Sequence, residues 1–187
     1  IVTLGGDGTN RVVAKGCGEI PLVPISTGTN NVFPSNTEGT LAGIAAGFVA
    51  NGCLQRDEVC RRSKRIDIHV DGHHCDDALV DAAVSSQMFV GARAVWDMKT
   101  LHTIFLTRAE PASIGLSSIG SRLTPISIDD EWGLYMRLDG EPDASATTVT
   151  APIAPGTVED VSITQWRKIA PGERIKVNIH PGTIALD

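Results

Sequence analysis

A carboxylate set among glycines needs a reason, and residues 5 to 9, Gly5-Gly6-Asp7-Gly8-Thr9, present one. The run follows an apolar segment, Ile1 to Leu4, that reads as a buried strand, and it precedes a helix-like stretch from Asn10 to Lys15. A glycine loop between a parallel strand and a helix offers backbone N–H groups and the positive end of the helix dipole to a phosphate. An Asp in that cradle repels the ligand unless it holds a cation or accepts a proton, and phosphoryl transfer requires both jobs. Thr9 and Asn10 are residue types that cap helices, while Arg11 and Lys15 add local positive charge. The common nucleotide fingerprints do not fit: the P-loop needs GxxxxGK[ST], and GxGxxG needs a glycine where Arg11 stands. Taken alone, the loop reads equally as a plain strand-to-helix turn.

A second loop changes that balance. Leu22 to Ser26 reads as a strand, Thr27-Gly28-Thr29-Asn30-Asn31 as a polar turn, and Thr37 to Ala50 as a small-residue helix closed by Asn51-Gly52. Alternating strand and helix imply a parallel sheet, so both loops should open on one sheet edge and form a cleft. Beyond Arg61-Arg62-Ser63-Lys64-Arg65 the period changes to two. Ile66, Ile68 and Val70 alternate with polar residues up to the hairpin signal Asp71-Gly72, and Ile175, Val177 and Ile179 alternate near the end. The expected fold is α/β plus all-β, with an α/β nucleotide-binding domain over 1–62 and a β-sandwich domain over 63–187. The chain opens on an apolar run with no Met, as though truncated in mid-domain.

Composition narrows the function classes. The 187 residues are 42% hydrophobic, enough for a real core, and the net charge of −6 leaves no global field for nucleic acid or anionic membranes. Aromatics are 4%, too few to build a stacking platform for single strands. Leu41 to Ala50 is too short to span a bilayer. Four cysteines without a CxxC pair, and no signal-peptide pattern, indicate a reducing, cytoplasmic setting.

Together, Gly5 to Thr9 and Pro24-Ile25-Ser26-Thr27-Gly28-Thr29-Asn30-Asn31 resemble the superfamily of NAD kinases and diacylglycerol-kinase-like lipid kinases. Ser26 to Pro34, Glu110 to Ser117 and Ala151-Pro152-Ile153-Ala154-Pro155-Gly156 look most like its AcoX branch, acetoin-catabolism proteins classed as ATP-NAD kinase-like. The resemblance covers essentially the whole chain. It implies two domains with a nucleotide cleft between them, ATP and Mg²⁺ as cofactors, and a homo-oligomer. It also implies Asp7 as the base that activates the acceptor hydroxyl, with Gly5, Gly6, Gly8, Thr9, Thr29, Asn30 and Asn31 around the phosphates. Asp81 and Ser113 fall where such enzymes bind the acceptor.

The departures concern the substrate. Val80 stands where NAD kinases carry the Asn of an Asn-Glu pair, Ala112 to Ser118 lacks their Thr-Ala-Tyr, and Asn31 replaces an Asp of the lipid kinases. The expected activity is phosphoryl transfer to a hydroxyl of NAD or a related small molecule. The alternatives are a non-catalytic nucleotide sensor linked to acetoin catabolism and a lipid kinase, the latter disfavoured because no basic amphipathic helix is evident.

Other clusters take ordinary readings. His69, His73, His74, Cys75, Asp76 and Asp77 crowd the predicted hairpin, where an exposed turn collects polar residues, so no metal is expected. The basic run 61–65 reads as a solvated linker, Cys17 and Cys53 as structural, Gly43 and Gly47 as sites of close helix packing, Ser85-Ser86 and Ser117-Ser118 as exposed strand and turn serines, and His180 as an exposed strand end.

Overall fold

The computed structural model describes residues 1–87, 97–178 and 181–187. These fall into two compact units, Ile1–Ser63 and Lys64–Asp187. His180 and Ile179 lie outside the described residues.

In the first unit, β1 (Val2–Gly5) pairs in parallel with β2 (Val23–Ser26), aligning Val2 with Val23 and Gly5 with Ser26. Helix α1 (Asp7–Cys17) connects them, the crossover a parallel pair requires. It starts at Asp7, three residues before the expected start, and its N-cap is Gly6 rather than Thr9 or Asn10. The strand expected to be buried has an inverted pattern: Thr3 is 5% exposed, while Val2 and Leu4 are 46% and 66% exposed. Helix α2 (Gly39–Ala50) begins where Glu38 accepts a hydrogen bond from Leu41 N, and the bonds from Thr40, then that from Leu41, hold its carboxyl below the usual range. A Cβ built on Gly43 or Gly47 would meet nothing within 4 Å, so close packing does not explain these glycines. A short helix, α3 (Arg56–Val59), follows.

Among the described residues the second unit comprises a five-stranded sheet, two hairpins and one α-helix. Strands β3 (Ile66–Val70) and β4 (His73–Ala78) form a hairpin, and Asp71 (φ 51°) and Gly72 (φ 82°) both take the left-handed conformation that a two-residue turn of this type demands. Strands β5 (Asp81–Ser85), β6 (Leu101–Leu106), β7 (Gly133–Arg137), β10 (Gln165–Ile169) and β11 (Thr183–Leu186) form an antiparallel sheet in the order β10-β7-β6-β5-β11. β8 (Thr147–Ala154) and β9 (Thr157–Ile163) make another hairpin, turning at Gly156. Residues 174–178, expected as a strand, join no ladder; the terminal strand is β11 instead.

Helix α4 (Leu116–Leu123) was not anticipated, and it packs against β6 and β8. Its Gly120 meets Leu106, Leu134 and Ala109 so closely that a Cβ has no room. Around it Ile104, Leu106, Ile119, Ile126, Leu134 and Met136 are sealed from solvent, with Ile153, Val161 and Ile163 from the second hairpin completing the core. Among the described residues no helix is long and apolar enough to cross a membrane.

Candidate functional site

Parallel pairing sets Gly5 beside Ser26, so the loops after β1 and β2 leave the same sheet edge. Asp7 links them. Its carboxylate is buried, and Oδ1 accepts hydrogen bonds from the backbone N–H groups of Val32 (3.1 Å) and Phe33 (2.7 Å), while Oδ2 lies 3.0 Å from Val32 N. The acid at the start of α1 therefore serves a purpose that the sequence reading did not contain: it clasps the second loop while standing at the favourable end of the helix dipole.

The glycines give the clasp its closeness. A Cβ on Gly6 would lie 2.7 Å from Asn31 Oδ1, and a Cβ on Gly5 would lie 2.5 Å from Thr9 Oγ1. Asn31 Nδ2 donates to Ser26 Oγ at 2.8 Å, and Asn30 takes φ 65°, which this residue type tolerates best after glycine. Gly8, Thr9, Thr29 and Asn30 are exposed, and a Cβ on Gly8 would meet nothing within 4 Å. Gly6 is the N-cap of α1 and makes no side-chain cap to its first turn.

Asn10 has a larger role than sequence reasoning assigned. It is fully buried, accepts from Thr3 Oγ1 at 2.6 Å and donates to Gly6 O at 2.8 Å, pinning the glycine loop to the strand beneath it. The signal was an Asn four residues after a loop glycine, at the spacing where an amide on the first helical turn reaches back to a loop carbonyl.

Asp81 and Ser113 belong to the second unit. Asp81 opens β5, and its backbone pairs with that of Asp187. The Ser113 hydroxyl donates to Glu110 O at 2.6 Å, closing the turn before α4. Ser117 and Ser118, expected to be exposed, are each only 1% exposed. Ser118 Oγ and Gly115 N both donate to Pro152 O, joining the Glu110-to-Ser117 phrase to the Ala151-to-Gly156 phrase. Ser85 is likewise buried.

Arg61, Arg62 and Arg65 are exposed, as the solvated reading of the basic run expects, and Lys64 is the exception. Its Nζ donates to the carbonyls of Asp130 (2.6 Å), Trp132 (2.9 Å) and Ser127 (3.1 Å), and burial pulls the ammonium below its usual pKa range, with Asp130 opposing and Arg108 adding to the shift. A carboxylate–imidazole pair also escaped the sequence reading. His102 Nδ1 lies 2.6 Å from Asp139 Oδ2, and Arg137 Nε donates to Oδ1 at 3.0 Å. Burial alone would raise the Asp139 pKa; the hydrogen bonds from Arg137 and His102 outweigh it and hold the carboxyl below the usual range.

Residues 64–187, the whole second unit, match the C-terminal domain family of acetoin catabolism protein X. The chain belongs to the acetoin catabolism protein X family. The acetoin catabolism protein X of Cupriavidus necator H16 is 39% identical over 191 residues, an alignment that takes in 100% of this chain and 53% of that protein. The chain thus spans about half the length of the curated relative it matches. No solved structure matches it.

Proposed function

We propose that this member of the acetoin catabolism protein X family binds a nucleotide through the loop pair of its first unit and transfers a phosphoryl group to a hydroxyl of a small molecule, NAD or a related acceptor. One observation carries the reading. A single buried carboxylate, Asp7, fastens the GGDGT loop to the loop containing Thr29 to Asn31, so two amide-rich turns act as one structure at the edge where parallel sheets hold phosphates.

The loops suit a phosphate better than a resident metal. Within residues 5–9 and 26–34 Asp7 is the only acid, and its oxygens already accept backbone N–H bonds. Magnesium in this reading travels with the nucleotide's own phosphates, neutralising their charge, rather than in a protein cage. Backbone N–H groups of the Gly5–Thr9 loop orient the phosphates, and Asp7 receives the acceptor's proton.

The same hydrogen bonds favour a second reading. A carboxylate committed to fastening two loops suits a protein that binds nucleotide without turning it over. The test is to incubate the full-length protein with Mg²⁺, γ-labelled ATP and, in turn, NAD and short-chain diols, beside the Asp7→Asn variant. Label transfer that disappears in the variant supports the kinase reading; ATP binding with no transfer to any acceptor supports the sensor. Absence of both defeats the nucleotide assignment.

A further inference from the structure

The hairpin of β3 and β4 gathers side chains that the nucleotide reading leaves unused. Asp67 faces Asp77 across the ladder, and a bulge between Ile68 and His69 brings His69 opposite His74. One donor atom each from Asp67, His74 and Asp77 fall within 4.8 Å of one another. His74 Nε2 already lies 2.7 Å from Asp77 Oδ1, and the His69 ring meets the His74 ring edge-on at 5.5 Å, fixing its orientation. Asp77 is largely buried, with its side chain 11% exposed, while Asp67 and His74 are open to solvent at 47% and 48%.

We infer that Asp67, His74 and Asp77 form a binding site for a zinc-like divalent cation across the two strands of the second unit's first hairpin. One imidazole and two carboxylates are a borderline donor set suited to a first-row divalent ion, and the two negative charges balance its charge. Ligands about 2.1 Å from a tetrahedral ion stand about 3.4 Å apart, so the His74–Asp77 pair opens slightly and Asp67 closes in, which half-exposed side chains on adjacent strands can do. Solvent supplies the fourth position.

Arg65 marks the place the ion would take. Its Nε lies 2.8 Å from Asp67 Oδ1 and its Nη1 3.7 Å from Asp77 Oδ2, so the guanidinium bridges the same two carboxylates. The cation exchanges with that guanidinium and with the proton shared by His74 and Asp77; no ligand is created or lost. This explains why the two paired strands, away from the Asp71-Gly72 turn, concentrate two acids, a histidine and a competing arginine. The site stands apart from the nucleotide proposal and does not depend on it.

The experiment is a calorimetric titration of the metal-free, full-length protein with zinc chloride. Saturable binding of one equivalent is expected, weakened at least tenfold in His74→Ala and tightened severalfold in Arg65→Gln, with Cys75→Ser unchanged. His74→Ala alters a half-exposed residue, and an unchanged thermal melt keeps loss of binding distinct from loss of fold. The inference is overturned by an absence of saturable binding, by His74→Ala binding as tightly as wild type, or by affinity that follows Cys75; each would leave the cluster an ion-pair network around Arg65.

Discussion

The two units bury their apolar residues to opposite degrees. In Lys64–Asp187 the side chains of Ile104, Leu134, Met136 and Ile119 are fully enclosed between sheet, helix and hairpin. In Ile1–Ser63 only Ile25, Val32 and Ala42 count as buried apolar residues, while Leu4, Val12, Leu41, Ile44 and Phe48 are 50% exposed or more. What holds the first unit's loops is polar: the Asp7 clasp and the Asn10 bridge. Stability therefore sits in one unit and the proposed phosphate chemistry in the other, where local hydrogen bonds rather than a deep core define the geometry.

Separating the units should produce the largest effect. Residues 64–187 expressed alone are expected to unfold cooperatively in a thermal melt followed by circular dichroism, because their core is self-contained. Residues 1–63 alone should show no cooperative transition, since a two-stranded sheet with exposed apolar faces is marginal. A sharp melt of the short piece would erase the contrast.

Core substitutions sharpen it. Leu134→Ala should cost about 2–5 kcal/mol, the range for emptying a sealed site, measured by denaturant unfolding. Gly120→Ala should lose about 1–3 kcal/mol despite the better helix propensity of Ala, because the added methyl meets the Leu106 and Leu134 side chains. Asn10→Ala should cost about 1–3 kcal/mol by leaving the buried Thr3 Oγ1 without its acceptor, with the loss appearing as faster amide exchange in the glycine loop rather than across the second unit.

The smallest effect is electrostatic. Asp139 has a depressed folded pKa, so its contribution is present above the unfolded value of about 3.9 and fades as pH falls through the lower folded value. With its side chain 39% exposed, solvent screening limits this to about 1 kcal/mol or less. Asp139→Asn should flatten the acid limb of the stability profile by that amount, and an unaltered limb would remove the pair from the account.

How far these features were legible in the sequence depends on how local their causes are. The Asp71-Gly72 hairpin was legible because few residue pairs accept two positive φ angles, and the paired loops were legible because glycine and Asn mark close backbone approach. Helix α4 was hidden: only Leu116, Ile119 and Leu123 carry its apolar face, and its serines bond back to carbonyls such as Gly115 O and Ser118 O, so the segment reads as a turn. Residues 174–178 misled in the other direction, since alternation without a partner strand forms no ladder. The carbonyl cage of Lys64 and the Asp7 clasp depend on tertiary contacts, 63 and 25 residues away at their nearest, which no local pattern encodes.

The central claim is that Asp7 and the glycines make two loops into one phosphate cradle. Titrating ATP into the full-length protein and its Gly6→Ala variant by calorimetry tests it most directly, because a Cβ on Gly6 collides with Asn31 and separates the loops without touching any charge. The account predicts micromolar-range binding by wild type and at least a tenfold loss in the variant, with an unchanged melt of the second unit. Equal affinity of the two proteins for ATP, or no binding by either, would contradict it.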